Sequence, residues 1–303
     1  MEKIRLDQFL TQHHPQYSRM QIKKLIEGGF VLVDGEKKKP SFLLRGGEDI
    51  EIKRRAPEIP KAVPEKLPLD ILYEDDDMIV IHKAAGMVVH PAPGNINGTL
   101  VSAILHHLGE GWCQGEGVRP GIVHRLDKGT SGVMVIAKTE FTLRHIALQF
   151  KNRTVEKVYQ ALVFGEFDQK QGTINFAIGR DTQHRRKISS KTRWAREAST
   201  SYEVKKQYQH LALMELRPKT GRTHQIRVHL SEKHHPVVGD TLYGAKSYLS
   251  RIKDEELLKR LEEVDRPLLH AAELSIDHPV TGKRLQFKAP LAEDFRLVLN
   301  HLA

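Results

Sequence analysis

Two strings in this sequence combine residue types that packing alone does not ask for. The first is Gly121-Ile122-Val123-His124-Arg125-Leu126-Asp127-Lys128-Gly129-Thr130-Ser131-Gly132. It sets one carboxylate among cations and small hydroxyls, immediately before the β-branched run Val133-Met134-Val135-Ile136-Ala137, which reads as a buried strand. A reactive side chain on a polar turn held by a rigid core strand is a common catalytic arrangement. An aspartate of ordinary pKa, about 3.9, is ionised at neutral pH and can serve as a nucleophile or a base. A lone aspartate in a glycine-bearing loop is also an ordinary solvated turn, so the whole string carries the argument, not Asp127 by itself. The second string is Pro218-Lys219-Thr220-Gly221-Arg222-Thr223-His224-Gln225-Ile226-Arg227-Val228-His229-Leu230, a glycine turn running into helical spacing.

Other chemistries find little support. There is no G-x-x-x-x-G-K-[ST] and no G-x-G-x-x-G opening a helix, so neither nucleotide nor nicotinamide is expected as a cofactor. The histidine pairs His13-His14, His106-His107 and His234-His235 lack partners at zinc-ligand spacing. The acidic run Glu74-Asp75-Asp76-Asp77 reads as a solvated turn between strands rather than a metal site. Cys113, the single cysteine, rules out an internal disulfide and reads as a packing residue in a reducing cytoplasm. In an aspartic protease the aspartate would be followed directly by Thr/Ser-Gly, but Lys128 follows Asp127. A glycoside hydrolase would need a second carboxylate, which no motif supplies.

The elements that must position these strings follow from pattern. The 303 residues allow about two domains. A net charge of +10 and a pI near 9.5 favour a polyanionic partner, nucleic acid first. No apolar run approaches the roughly 20 residues of a membrane span, so no membrane is expected. Residues 1–56 read as a small basic unit. Leu6, Phe9 and Leu10 have helical spacing, Ser18 caps a helix over Arg19 to Glu27, and strands at 30–33 and 50–52 flank the turn Asp34-Gly35. Arg5, Arg19, Lys23 and Lys24 load its helical part with cations. Residues 57–68, with prolines at 57, 60, 64 and 68, read as a semi-rigid linker. Residues 69–303 form the larger unit. In it Thr99 caps a helix to about His107, and Thr139 to Lys151 is an amphipathic helix with Leu143, Ile146, Ala147 and Phe150 inward. Val155 to Val163 alternates as a strand. From Arg180 to Arg196 a dense cationic loop, with Arg185, Arg186 and Lys187, reads as a phosphate-contacting arm. Trp194 in it could stack on a base or anchor the core.

The first string resembles the HRLD-x-x-TSG signature of RluA-type pseudouridine synthases, and the second their G-R-T-H-Q-I-R-x-H motif. Lys83-Ala84-Ala85-Gly86-Met87-Val88-Val89-His90-Pro91 is similar to the family's K-P-x-G-x-x-V-H-P, with Ala84 in place of proline. Lys157-Val158-Tyr159-Gln160-Ala161-Leu162-Val163 resembles its K-x-Y-x-A-L-V strand, and Pro236 to Gly244 its P-x-x-G-D-x-x-Y-G segment. The loop His90 to Leu100 is closer to members of type D, which act on large-subunit ribosomal RNA, than to type C. Residues 1–56 resemble an S4 RNA-binding domain.

The resemblance implies an α+β fold, an S4-like domain followed by a catalytic domain on a central mixed, mostly antiparallel sheet. It implies an isomerase converting uridine to pseudouridine in RNA, with Asp127 as the catalytic carboxylate. Arg227 would pair with Asp127, and Tyr159 would stack on the base and assist removal of its C5 proton. Ile226 would line the base pocket, and Arg125 would fill the space the base vacates. His124 would sit at the substrate, although a structural role suits it as well. An isomerisation consumes no electrons and no energy source, so no cofactor and no metal is expected. The expected partner is large-subunit ribosomal RNA or the assembling subunit, met by a cytoplasmic monomer. The competing readings are transfer RNA as substrate, and a non-catalytic RNA-binding protein of the ribosome.

Overall fold

The computed structural model describes residues 4–14, 17–52, 62–92, 94–109, 112, 120–184, 187–192 and 194–302. The chain divides into two compact units, Met1–Lys61 and Ala62–Ala303. Cys113, Arg185, Arg186 and the prolines at 57 and 60 lie outside the described residues.

The small unit holds β1 (Ile4–Arg5), α1 (Leu6–His13), α2 (Arg19–Glu27), β2 (Val31–Val33), β3 (Glu36–Lys37), β4 (Leu43–Leu44) and β5 (Ile50–Ile52). Ser18 accepts from the Gln21 amide while the Gln21 side chain accepts from the Ser18 amide, a reciprocal cap that starts α2. Leu6, Leu10, Ile22, Leu25, Ile26, Val31 and Val33 close its core. Asp7, only 4% exposed, accepts from both Arg5 and Arg19.

The large unit begins with residues laid on its own surface. The Glu65 carboxylate accepts from the Gly98 amide, and the Glu65 amide donates to the Ser102 carbonyl. Strands β6 (Asp70–Glu74), β7 (Met78–Lys83), β8 (Ser131–Ala137), β9 (Glu156–Phe164), β10 (Gln171–Asn175), β13 (Ser199–Tyr208), β14 (Leu211–Pro218), β15 (Leu269–Asp277) and β16 (Arg284–Lys288) form one sheet. Its order is β10-β13-β14-β9-β15-β8-β7-β6, with β16 on β15. All of its pairs are antiparallel except β15 with β8. A short hairpin, β11 (Gly179–Arg180) with β12 (Ile188–Ser189), carries the cationic arm. The helices are α3 (Leu100–Leu108), α4 (Glu140–Asn152), α5 (Gln225–Glu232), α6 (Glu255–Glu263) and α7 (Glu293–His301). None is long and apolar enough to cross a membrane.

Strand β8 is buried at every position, as its apolar run requires. Where it meets β15, Gly132 has φ +122°, and a Cβ there would lie 2.2 Å from the Ala271 carbonyl oxygen. Only glycine permits so close a parallel approach. Thr139 caps α4, whose inward stripe centres on Thr142 and Ile146. Ala147 departs from expectation: it lies one step around the helix from Ile146 and is exposed at the rim of the cleft described below. The acidic turn also differs from the expected solvated loop. Asp75 accepts from the amides of Asp77 and Met78, from Tyr73 Oη and from His278 Nε2. Burial opposes its charge, but these donors hold its carboxyl down at about 2.

Candidate active site

The turn bearing Asp127 is clamped by its backbone carbonyls. The Asp127 carbonyl accepts from the Thr130 amide, and that of Lys128 from the Gly86 amide at 2.8 Å. The Gly129 carbonyl accepts from Arg266 Nη1 at 3.0 Å, and Arg266 is itself held by a fork to Asp294. Lys83, buried at the end of β7, donates to the Ala84 and Met87 carbonyls at 2.8 and 2.9 Å and reaches that of Lys128 at 3.5 Å. Burial lowers its ammonium to about 7, against the attraction of Asp127. With the carbonyls of residues 127, 128 and 129 all engaged the turn is held, so the aspartate projects from a fixed base.

Arg227, in the first turn of α5, meets this aspartate from 100 residues away: Nη1 donates to Asp127 Oδ2 at 3.0 Å. Behind it Asp240, 1% exposed, takes the other edge of the guanidinium as a fork, at 2.6 Å from Nε and 2.9 Å from Nη2. Burial opposes Arg227's charge, but Asp240 and Asp127 together raise its pKa, so it stays a cation. Its guanidinium carbon sits 5.0 Å from the centre of the Tyr243 ring. No hydrogen bond among the described residues reaches Asp127 Oδ1, so one oxygen is held and the other is available.

Asp127 lies in a cleft of about 610 Å³. Tyr159 and Ile226 line it too, and so does exposed Arg125. Tyr159 stands on β9 opposite Leu216 of β14 and Ala271 of β15. Burial and the Asp127 charge push its phenol up, so it faces the cleft as a neutral ring rather than a phenolate. That state suits stacking on a base. His124 also lines the cleft, but its Nε2 accepts from the Val135 amide and its ring stacks on Phe150 at 4.7 Å. Burial takes it down to about 3, so it is a neutral strut for β8.

The cleft carries cations that the sequence did not single out. Lys151, Arg153, Lys157, Lys219 and Arg222 line it. Burial and then Arg153 bring Lys157 down to about 8, and burial with Arg196 and Arg153 lowers Arg222. Arg153 and His224 hold left-handed backbone, φ +61° and +54°.

Elsewhere, Arg5 and Arg19 are partly committed to Asp7, and Lys23 lies 3.5 Å from Glu27; Arg19 and Lys23 remain exposed and Arg5 is half-buried. Lys24 is exposed on α2, and Lys187 is half-buried next to β12. Trp194 is 85% exposed, so it is no core anchor. Asp75, Asp77 and His278 could bring ligand atoms within 4.8 Å of one another. His278 Nδ1 accepts from the Val280 and Thr281 amides, so its Nε2 carries the proton donated to Asp75, which is a structural arrangement.

The RNA pseudouridylate synthase family matches residues 77–232, which contain Asp127, Tyr159 and Arg227, and the S4 domain family matches residues 4–50. The chain belongs to the RNA pseudouridylate synthase family. It is 43% identical over 99% of its length to an RNA pseudouridine synthase of Chlorobaculum parvum, covering 94% of that protein. It is 40% identical over 98% of its length to the ribosomal large subunit pseudouridine synthase D of Neisseria meningitidis, covering 78% of it. Among solved structures, human RNA pseudouridylate synthase domain containing 4 superposes with TM-score 0.59 at 28% identity, over 77% of this chain and 92% of that one. The protein is thus an isomerase of RNA uridine, with an N-terminal S4 domain and a synthase sheet that is mixed and mostly antiparallel, as the family resemblance implied. Asp240, Lys83 and Arg266 escaped the sequence reading. Asp240 stood in a recognised segment, yet nothing in that string says it grips Arg227.

Proposed function

We propose that this synthase acts on specific uridines of large-subunit ribosomal RNA, with Asp127 as its catalytic carboxylate. The observation that carries the role of Asp127 is the Arg227 bond, which fixes Oδ2 at 3.0 Å and leaves Oδ1 without a hydrogen bond among the described residues. The C1′–N1 bond breaks, the base turns, and a C1′–C5 bond forms. The C5 proton leaves to solvent and N1 takes one from solvent, so the exchange balances without a cofactor. Asp127 serves the first step as nucleophile or base. Tyr159 supports the ring of the base and Ile226 its edge. Arg125 takes the space of the extruded base, whose unpairing costs a few kcal/mol. Lys151, Arg153, Lys157, Lys219 and Arg222 track the phosphates, while Arg5, Arg19, Lys23 and Lys24 anchor RNA on the S4 domain. The relatives named for the ribosomal large subunit support that substrate, and a cytoplasmic monomer working on RNA or on an assembling subunit suits it.

The test is tritium release from RNA labelled at uracil C5, with chelator present, for the wild type and Asp127→Asn. Release from ribosomal RNA by the wild type and none by the variant supports the reading. Release by both overturns the role of Asp127. Release from transfer RNA alone overturns the substrate.

A further inference from the structure

His224 sits beside the reacting groups and has no role in the scheme above. It precedes α5 in left-handed backbone, lines the cleft, and its Nε2 is 3.8 Å from Asp127 Oδ2. Its other nitrogen, Nδ1, is 2.8 Å from Tyr243 Oη. Tyr243 Oη already accepts from the Ile188 amide of β12 at 3.0 Å. Tyr243 is 9% exposed, and no other partner for its hydroxyl is found among the described residues. A phenol has one proton to give. If Nδ1 carried the hydrogen, the hydroxyl would accept twice and its own buried hydrogen would lack an acceptor, at a cost. The satisfied arrangement has Ile188 N–H donating to Tyr243 Oη, and Tyr243 O–H donating to His224 Nδ1. The remaining proton then belongs to Nε2, next to Asp127.

We propose that His224 is a catalytic hydrogen-bond donor to the departing uracil, its tautomer set by Tyr243. The inference rests on the proposed reaction at Asp127. When the C1′–N1 bond breaks, its electron pair stays on N1, and the negative charge spreads to the O2 and O4 carbonyl oxygens. A base detached next to Asp127 needs a donor there, or the anion and the carboxylate repel. Arg227 directs three of its five N–H groups at Asp240 and Asp127 Oδ2, and Tyr159 supports the ring face, so neither meets that need in full. The Nε2–H of a neutral imidazole does. It donates without transferring its proton, and so remains in place when the base has turned and C5 attacks. Neutrality has a physical cause: burial lowers His224, and Arg227 and Arg125 oppose its charge, while Asp127 and Asp240 favour it. A donor fixed in advance where charge develops is an economical form of electrostatic catalysis. The backbone of β12 takes part, since the Ile188 amide orients Tyr243, which makes Tyr243 a positioning residue.

Two readouts test this. The first needs no substrate: nitrogen chemical shifts of the His224 imidazole in the full-length protein at pH 7. The expected result is a neutral ring protonated on Nε2, and a ring protonated on Nδ1 or on both nitrogens overturns the proposal. The second compares His224→Ala with His224→Gln, whose amide nitrogen falls near Nε2, on ribosomal RNA that the wild type modifies. Loss of one such donor lowers kcat by about 10²–10³. We expect that loss for His224→Ala, KM within about threefold of the wild type, and recovery of at least tenfold in kcat by His224→Gln. Equal activity of the two variants, or an effect confined to KM, overturns the proposal. Tyr243→Phe keeps the ring against Arg227 and releases the tautomer. It should lower kcat and shift the His224 nitrogen signals, and unchanged signals would overturn the assignment. Failure of the wild type to modify any RNA would instead refute the proposed reaction, with the tautomer still readable.

Discussion

Replacing Asp240 with asparagine tests how the catalytic carboxylate is oriented. Asp240 touches no cleft surface and is 1% exposed; its carboxylate grips Arg227 and also accepts from the Tyr243 amide at 3.3 Å, so it acts through those two residues. The change preserves shape but puts an amide N–H against one guanidinium N–H. Of the three bonds that fix Arg227, those to Asp240 at 2.6 and 2.9 Å form the fork, and that to Asp127 at 3.0 Å is single. Removing one partner of a buried ion pair costs about 3–5 kcal/mol. Whole-domain stability is about 5–15 kcal/mol, so Asp240→Asn should fold but unfold at distinctly lower urea. Without the fork the guanidinium can pivot about its Asp127 bond. A displacement near 1 Å at the reacting groups costs about 10²-fold. We expect kcat for tritium release to fall about 10²-fold, with KM nearly unchanged because no RNA contact is lost. Urea unfolding followed by fluorescence supplies the stability arm, and release at saturating RNA supplies the kinetic arm. A variant within about 1 kcal/mol of the wild type, with kcat within about threefold, would refute Asp240 as the anchor of Arg227.

Two further outcomes follow from the cations. Arg222→Gln and Lys157→Gln should each flatten the dependence of log kcat/KM on log salt by about 0.7 if each contacts one phosphate of single-stranded RNA; unchanged slopes would remove them from the RNA path. Lys83 titrates near 7 when folded, below the 10.5 of a free lysine, so the unfolded chain binds more protons between those values. The penalty for its buried charge is full below pH 7 and is relieved as pH rises toward 10.5. Urea unfolding of the wild type should therefore gain stability relative to Lys83→Met between pH 7 and 9, and parallel curves would refute the lowered pKa of Lys83.

Much of this protein was legible because it is local. Ser18, Thr99 and Thr139 each cap a helix by bonding an amide three residues on, and that signal needs no tertiary context. The run from Val133 to Ala137 had to be buried wherever it packed. The chemistry-bearing strings were visible as strings, but the link from Asp127 to Arg227 came from resemblance. Periodicity acts over a turn of helix, and these residues are 100 apart. The pairings of β8 with β15, β15 with β9 and β9 with β14 bring them together, and register is settled by the packing of the whole sheet. Lys83 and Arg266 look like ordinary cations until the fold delivers the carbonyls of residues 128 and 129 to them. Asp75 looked solvated because its partner His278 lies 203 residues away. The sequence by itself determined which residue types were present and which short segments were helix or strand. Only the tertiary structure decided which Asp127 oxygen is held and which is open, and which nitrogen of His224 lies near the held one. Those choices depend on where every neighbouring donor ends up once the chain is closed.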